Sequence, residues 1–448
     1  MMDFARINEI IKSEAEALGI KEYEIYVSED SEISVGTLNA EINAFSSGTT
    51  SGVCLRVIED GKMGYASSQC TEDEEMKALV SRALSNARAT EKLDGVGIFS
   101  GSESYAELPK SDFKMKDAAL LRGVAKELAD EMYSASSNVQ NGTESTALSS
   151  QRTIRIANSY GLNLECSGGI DAAVAAAVVA EDGVFESAFE VSMLDESTVI
   201  SDMAKKAVTD AQRKIGAGSV SSGKYNVIIS AKQMRTILSA FSPAFSAKMA
   251  QTGMSLLAGK EGQRIASDIV NISDDPMREG AAVKTNFDAE GVAAYRKMVV
   301  ENGVLKTLLH NRETAKKAGI ESTANASKAG YSSPVSISPY AFCIEGGENS
   351  LEGLFELAGE GIYITELKGL HAGANAITGD FSIESAGFRI VDGKLGEAVK
   401  TFTIAGNFFE LIKSISALSD KVEFAVTGGF TTFGSPAVLV REMSVAGV

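Results

Sequence analysis

The chain has 448 residues, 44% of them apolar and 23% charged, enough for two or three domains with cores of their own. Its formal charge of −18 argues against direct nucleic-acid binding, because duplex DNA presents about one negative charge per 1.7 Å of axis and demands a concentrated basic surface. No apolar run approaches the roughly 20 residues of a membrane span, and the four scattered cysteines form no CxxC pair, which disfavours a zinc knuckle or disulfide framework and points to the cytoplasm.

In chain order, MMDFARINEIIKSEAEALG carries acids among its apolar residues and reads as an amphipathic helix ending near Gly19, not as a signal peptide. EYEIYVSE and EISVGTLNAEINAFS alternate as half-buried strands do. SGVCLRVIEDGKMGYASS is a hairpin turning on Asp60-Gly61. Thr71 to Glu74 has the pattern of a capping box, and the helix behind it places Met76, Leu79, Val80, Ala83, Leu84 and Ala87 on one face. Residues 94–117 read as a connection, followed by a helix over about 118–134.

The next stretch repeats this order. RTIRIANSYGLNLECSGG gives strands, a second hairpin turns on Asp182-Gly183, and a helix starting near Glu196 aligns Val199, Ile200, Met203, Ala207, Val208 and Ala211. The expected fold class is therefore α+β, with residues 1–220 forming a domain of two similar βββα-like units. GAGSVSSGK, residues 216–224, is small and polar and marks the boundary.

Residues 221–448 read as a β-rich domain. YNVIIS is a buried strand, and AKQMRTILSAFSPAFSAKMAQTGMSLLAG predicts a helical hairpin broken at Pro243. SDDPMREG is a turn, and a third hairpin turns on Asn302-Gly303. A short helix at 312–318, a polar loop at 321–329 and strand-rich sequence come after it. Six glycines between Gly369 and Gly396 surround His371, one of only two histidines. Thr378-Gly379-Asp380 is a turn, Asp392-Gly393 a hairpin signal, and Asn407 a helix cap.

No complete catalytic constellation emerges from residue types and spacing. His310 and His371 sit in no HExxH or HxH pattern, a Walker loop and a GxGxxG fingerprint are absent, and Gly434-Ser435-Pro436 lacks the flanks of a nucleophile elbow. Asp274-Asp275 precedes a proline and reads as turn initiation in preference to a cation site.

GLHAGANAITGDFSIESAGFRIVDGK followed by TFTIAGN, together with DDPMREG, FDAEGV, VVENGVLKTLL and GSPAVLVREMSVAG in that order, resembles the TldD/PmbA family, and within it the PmbA branch, also called TldE. EISVGTLNAEINAFSSGTTSGVCLRV and IANSYG extend the resemblance into the first half. It implies a link to proteolysis of unfolded or short peptides, to peptide-antibiotic maturation and antitoxin turnover, and to modulation of DNA gyrase. The catalytic TldD branch resembles a zinc peptidase, with a His-Glu-x-x-x-His helix and a cysteine near the carboxyl end. The matching helix here, MRTILSAFSPAFSAKMAQT, has neither histidine nor glutamate, and the matching GGFTTFGSP has no cysteine.

The resemblance therefore implies a non-catalytic partner of a TldD-like subunit, which would hold the zinc, while this chain has no metal and no catalytic residue of its own. The alternatives are a peptidase whose site forms across a homodimer, and a peptide-binding scaffold that is not an enzyme. His371, Asn375, Asp380, Phe241 and Phe245 are the candidates for lining a peptide channel. Leu238, Phe241, Phe245 and Met249 recur at helical spacing and suit a core equally well. His371 either lines that channel or hides a hydrogen-bonded ring.

Overall fold

The computed structural model describes residues 2–92, 97–108, 111–195, 197–281, 283–426 and 431–447. The first half contains α1 (Phe4–Ala17), β1 (Glu22–Leu38), β2 (Glu41–Glu59), β3 (Lys62–Ser68) and α2 (Asp73–Ala89). The order then repeats in α3 (Ala118–Ala135), β4 (Glu144–Asn158), β5 (Asn163–Glu181), β6 (Val184–Met193) and α4 (Ile200–Gln212). All six strands form one antiparallel sheet in the order β3-β2-β1-β4-β5-β6, so the two units meet along β1 and β4 and mirror each other outward.

The helices bury their apolar stripes on the sheet, mostly on their own unit's strands, although Leu121 and Ala125 of α3 also pack on Val35 of β1. Ile7 and Ile11 of α1 and Met76, Leu79 and Val80 of α2 pack on Ile25, Val27, Val53, Leu55 and Val57. In the second unit the alternating Ala173, Ala175, Ala177 and Val179 of β5 meet α3 and α4. Gly64 explains how closely α2 lies on β3: a Cβ there would stand 2.1 Å from the Ala83 carbonyl oxygen.

The second half contains β7 (Gly223–Ile229), α5 (Ala231–Phe241), a 3-10 turn (Ser242–Phe245), α6 (Ala247–Gln251), β8 (Ile272–Asp274), β9 (Lys297–Glu301), β10 (Val304–Leu305) and α7 (Arg312–Ala318). It continues through β11 (Ala326–Ser327), β12 (Ser336–Ile337), β13 (Ala341–Ile344), α8 (Leu351–Ala358), β14 (Gly361–Lys368) and α9 (Leu370–Gly373). It ends with β15 (Asp380–Val391), β16 (Lys394–Asn407), α10 (Phe408–Lys413), β17 (Ile415–Leu418), β18 (Glu423–Val426), β19 (Thr432–Ser435) and β20 (Val438–Ala446). Two six-stranded sheets result, β16-β15-β14-β7-β20-β17 and β10-β9-β8-β13-β19-β18. Side chains of both sheets join α5 in one core that includes Val227, Ile364, Val440, Val300, Phe342 and Phe433. Among the described residues no helix is long and apolar enough to cross a membrane.

The chain is α+β, as its pattern predicts. The four expected two-residue turns have positive φ at both positions: 51° and 75° at Asp60-Gly61, 50° and 79° at Asp182-Gly183, 49° and 76° at Asn302-Gly303, 49° and 71° at Asp392-Gly393; a further one, Asn39-Ala40 at 53° and 62°, breaks EISVGTLNAEINAFS, read as strand, into the end of β1 and the start of β2. That is the geometry a tight hairpin needs to follow the strand twist. Other expectations fail locally. The capping box at Thr71 does not form; Glu72 is the cap residue without a side-chain cap bond, and Asp73, Glu74 and Glu75 answer the helix dipole instead. In the second unit Glu196 lies outside the described residues, α4 begins at Ile200, and Val199 is 54% exposed at its cap, not buried. The helical hairpin is also absent. Pro243 is the second residue of a 3-10 turn that follows α5, and α6 ends after five residues, before Gly253 at φ 75°.

Candidate functional site

A cleft of about 1570 Å³ opens between the first sheet and α7. One wall is the end of β2 and β3, including Arg56 and Tyr65; the other is α7 with the residues flanking it. α7 is fixed at its start by a capping box in which Asn311 and Thr314 satisfy each other's backbone, and at its end by Gly319 in the left-handed region. Residues 97–108, expected to be a mere connection, strap the two walls together. Arg312 Nη1 donates to the Gly97 carbonyl at 2.7 Å, the Tyr105 hydroxyl to the Gly291 carbonyl at 2.7 Å, and the Ala293 N–H to Ser102 Oγ at 3.0 Å. The neighbouring positions 94–96 and 109–110 lie outside the described residues.

Buried charge underlies this cleft. Arg56, 4% exposed, donates to Glu24 at 2.9 Å and faces Glu290 at 3.8 Å. Burial pushes the Glu24 carboxyl above its ordinary range despite the guanidinium beside it. Glu290 in turn accepts the Arg312 backbone N–H at 2.8 Å, which ties the pair to the start of α7. Asp288, two residues earlier, accepts N–H groups of Glu290, Val292 and Ala326 at 2.9, 3.0 and 3.0 Å. Its carboxyl is pushed up to about 7 by burial and by the Glu290 carboxylate, against the pull of those three donors. Asp274 is fully buried, taking the Lys297 ammonium at 3.2 Å, the Asn325 amide at 2.7 Å and the Tyr340 N–H at 2.7 Å. Asn325 comes from the polar stretch 321–329, which is tucked inside because these bonds satisfy it.

None of the five residues expected to line a peptide channel lines this cleft. His371, Asn375 and Asp380 fall together on an outer loop formed by α9 and the turn after it. Asn375 Oδ1 accepts the N–H groups of Ile377 and Thr378, and Asp380 accepts the Asn407 amide at 2.9 Å. That bond, with the one from Thr378, holds the Asp380 carboxyl below its usual range. Asn407 itself caps α10 through the Phe409 N–H at 3.0 Å, as its position predicts. The reading of His371 as a buried, hydrogen-bonded ring is corrected: the residue is exposed. It is His310 that is buried, at 3%, where burial lowers its pKa.

Phe241 and Phe245 correct the expectation of a peptide-facing surface. Both are fully buried. Phe241 stacks on Phe408 with centroids 4.7 Å apart and meets Phe381 edge-on at 6.3 Å, while Phe245 meets Phe342 edge-on at 5.2 Å. Met234, Ile237 and Leu238 are also fully buried on α5, so this helix is a core element along its inner face.

A sequence profile described as the PmbA/TldA metallopeptidase C-terminal domain matches residues 222–447, and one for domain 1 of the same metallopeptidases matches residues 23–87. An uncharacterized protein of Methanocaldococcus jannaschii is 30% identical over 415 residues, covering 91% of this chain and 92% of that one. This chain belongs to the PmbA/TldD family. A Thermotoga maritima structure described as a modulator of a DNA gyrase is 28% identical with a TM-score of 0.89, covering 99% of this chain and all of the other. The TldE structure from Thermococcus kodakarensis superposes with a TM-score of 0.87 over 98% of this chain and 99% of that one; at 24% identity it speaks for the fold alone.

Family names of this kind imply a catalytic metal, and a catalytic zinc needs three donors from nitrogen, sulfur or carboxylate groups. The inner face of α5 offers a thioether, aliphatic chains and a ring, which do not fit. Among the described residues no group of three or more His, Cys, Asp or Glu side chains is arranged to hold a metal ion. Of the segment expected to match the family cysteine, residues 428–430 lie outside the described residues.

The sequence reading missed Glu24, Arg56, Asp274, Asp288 and Glu290 as a group. Asp288 and Glu290 sit in FDAEGV and Asp274 in DDPMREG, both marked by resemblance. Their spacing carries no periodic signal for a shared site.

Proposed function

We propose that this PmbA/TldD-family chain is a non-catalytic partner of a TldD-like zinc metallopeptidase and shapes the path by which unfolded or short peptides reach the partner's metal. The observation that carries this reading is α5. The helix that the family resemblance aligns with the His-Glu-x-x-x-His motif is filled with Met234, Ile237, Leu238 and Phe241, all without exposed surface. Burying such side chains stabilises by about 1.5–3 kcal/mol each and avoids the cost of a buried metal-ligand charge set. The outer loop bearing His371, Asn375 and Asp380 is the surface this reading assigns to the peptide path.

Purified alone, the chain is expected to hold no stoichiometric zinc by elemental analysis and to leave an unfolded peptide intact. Hydrolysis is expected on adding a TldD-like subunit and should cease when a chelator strips that subunit. His371→Ala should slow the assembled complex while the melting curve of this chain stays in place, because the residue is exposed. One zinc per chain surviving dialysis against mild chelator would overturn the reading in favour of a homodimeric enzyme. Chelator-insensitive cleavage by this chain alone would overturn it in favour of a nucleophilic one.

A further inference from the structure

Lys328 is 6% exposed and lines a second cavity, of about 120 Å³. The other buried cations nearby each hold a carboxylate, Arg56 that of Glu24 and Lys297 that of Asp274. Among the described residues no carboxylate forms an ion pair with Lys328; it meets the Cys54 thiol and the ring of Tyr26, whose centroid is 4.4 Å from Nζ, and the carboxylate whose charge reaches it, Glu24, is already held by Arg56. The ammonium therefore has no carboxylate of its own, and burial holds its pKa below the ordinary lysine value, which is the cost of a buried charge so placed. A second cation, Arg152, lines the same cavity; it is paired with Asp30 and donates to the Ala329 carbonyl.

The only carboxylate lining the cavity among the described residues, Asp288, has both oxygens engaged by backbone N–H groups, so it is not aimed at Lys328. The remaining wall is mixed: Ile154, Val283, Phe287 and Ala289 give it an apolar part, and Thr285, Ser327, Ser338 and Thr431 a polar one. An apolar cavity of about 150 Å³ accepts a benzene molecule. The volume here thus suits roughly five non-hydrogen atoms, in a lining that offers both a cation and hydrocarbon. We propose that this cavity binds a short aliphatic monocarboxylate, with Lys328 taking the carboxylate and Ile154, Val283 and Phe287 taking the chain. The same chemistry is offered by a free organic acid and by the terminal residue of a peptide. The proposal stands apart from the partner-subunit reading.

Calorimetric titration of the full chain with propionate tests it, with propionamide as the neutral isostere and glycyl-alanine as the peptide source. Saturable propionate binding is expected, with propionamide at least about tenfold weaker. Lys328→Met should weaken propionate by a similar factor while melting no lower than the parent, since it removes a buried charge that has no carboxylate of its own. Glycyl-alanine binding as tightly as propionate assigns the ligand to peptide termini; binding of propionate alone assigns it to free acids. Absence of saturable heat with either carboxylate up to about 20 mM, a concentration at which even a millimolar site fills, overturns the proposal. Equal binding of acid and amide overturns it too. That comparison uses the unmodified chain and holds even if Lys328→Met fails to fold.

Discussion

Asp274 shows how much one side chain can hold when it has no surface. It balances Lys297 and fixes both Asn325 and the backbone of Tyr340. Asp274→Ala leaves the Lys297 ammonium buried without a partner and should cost about 3–5 kcal/mol, read as a fall in the urea midpoint. The double variant with Lys297→Met should recover much of that loss, and a single-variant loss below about 1 kcal/mol would contradict the assignment. Asp288 works with the opposite sign. Its carboxyl, pushed up to about 7, holds a proton more tightly folded than unfolded. Its contribution is therefore fully present below the unfolded carboxylate value near 4 and is lost as pH rises from there to about 7. Unfolding curves of the parent and Asp288→Asn should diverge across that window, the parent losing stability relative to the variant as pH climbs. Parallel pH profiles would refute it. Residues that act locally are legible in the sequence: Asn407 reads as a cap because a cap needs only its own helix. Glu24, Arg56 and Glu290 are not: the first two face each other across β1 and β2 only once the missed turn at Asn39 sets the register, and Glu290 reaches them from the second half of the chain.

The elements divide in the same way. The two-residue turns at Asp60, Asp182, Asn302 and Asp392 are readable since only a few residue types adopt positive φ at both positions cheaply, whereas the one at Asn39 is not, because alanine in place of glycine stands at its second position. The segment after α5 is not, because proline and glycine announce that a helix stops without specifying its successor. A 3-10 turn and a five-residue helix stand where a second helical arm is expected. α5 itself is best tested by emptying it. Phe241→Ala removes a ring stacked on Phe408 and edge-on to Phe381, and should destabilise by about 3–5 kcal/mol. If the helix instead faced a peptide, the variant would melt like the parent and lose only activity in the assembled complex. Denaturant unfolding of the isolated chain separates the two outcomes.

For the whole molecule, a net charge of −18 sets a firm expectation. The purified chain should not shift duplex DNA at about 0.1–0.2 M salt, where phosphate contacts normally still hold, so any effect on gyrase would run through a peptide and not through DNA. A salt-sensitive, sub-micromolar shift would count against this. The mirrored sheet has a consequence of another kind, for the time the chain spends unfinished. Its central seam joins Leu38 to Glu144 and Glu24 to Asn158, partners more than one hundred residues apart. During synthesis the first unit leaves the ribosome with helices and hairpin able to form, but with one side of β1 bare until β4 emerges; at about 5–20 residues per second that wait lasts many seconds. A long bare strand edge is a template for the wrong neighbour, and for this chain the nearest wrong neighbour is the β1 of another nascent copy. Final assembly is thus governed by a distant pairing and is slow by topology, and crowding on a shared message is the condition in which it is most exposed to error.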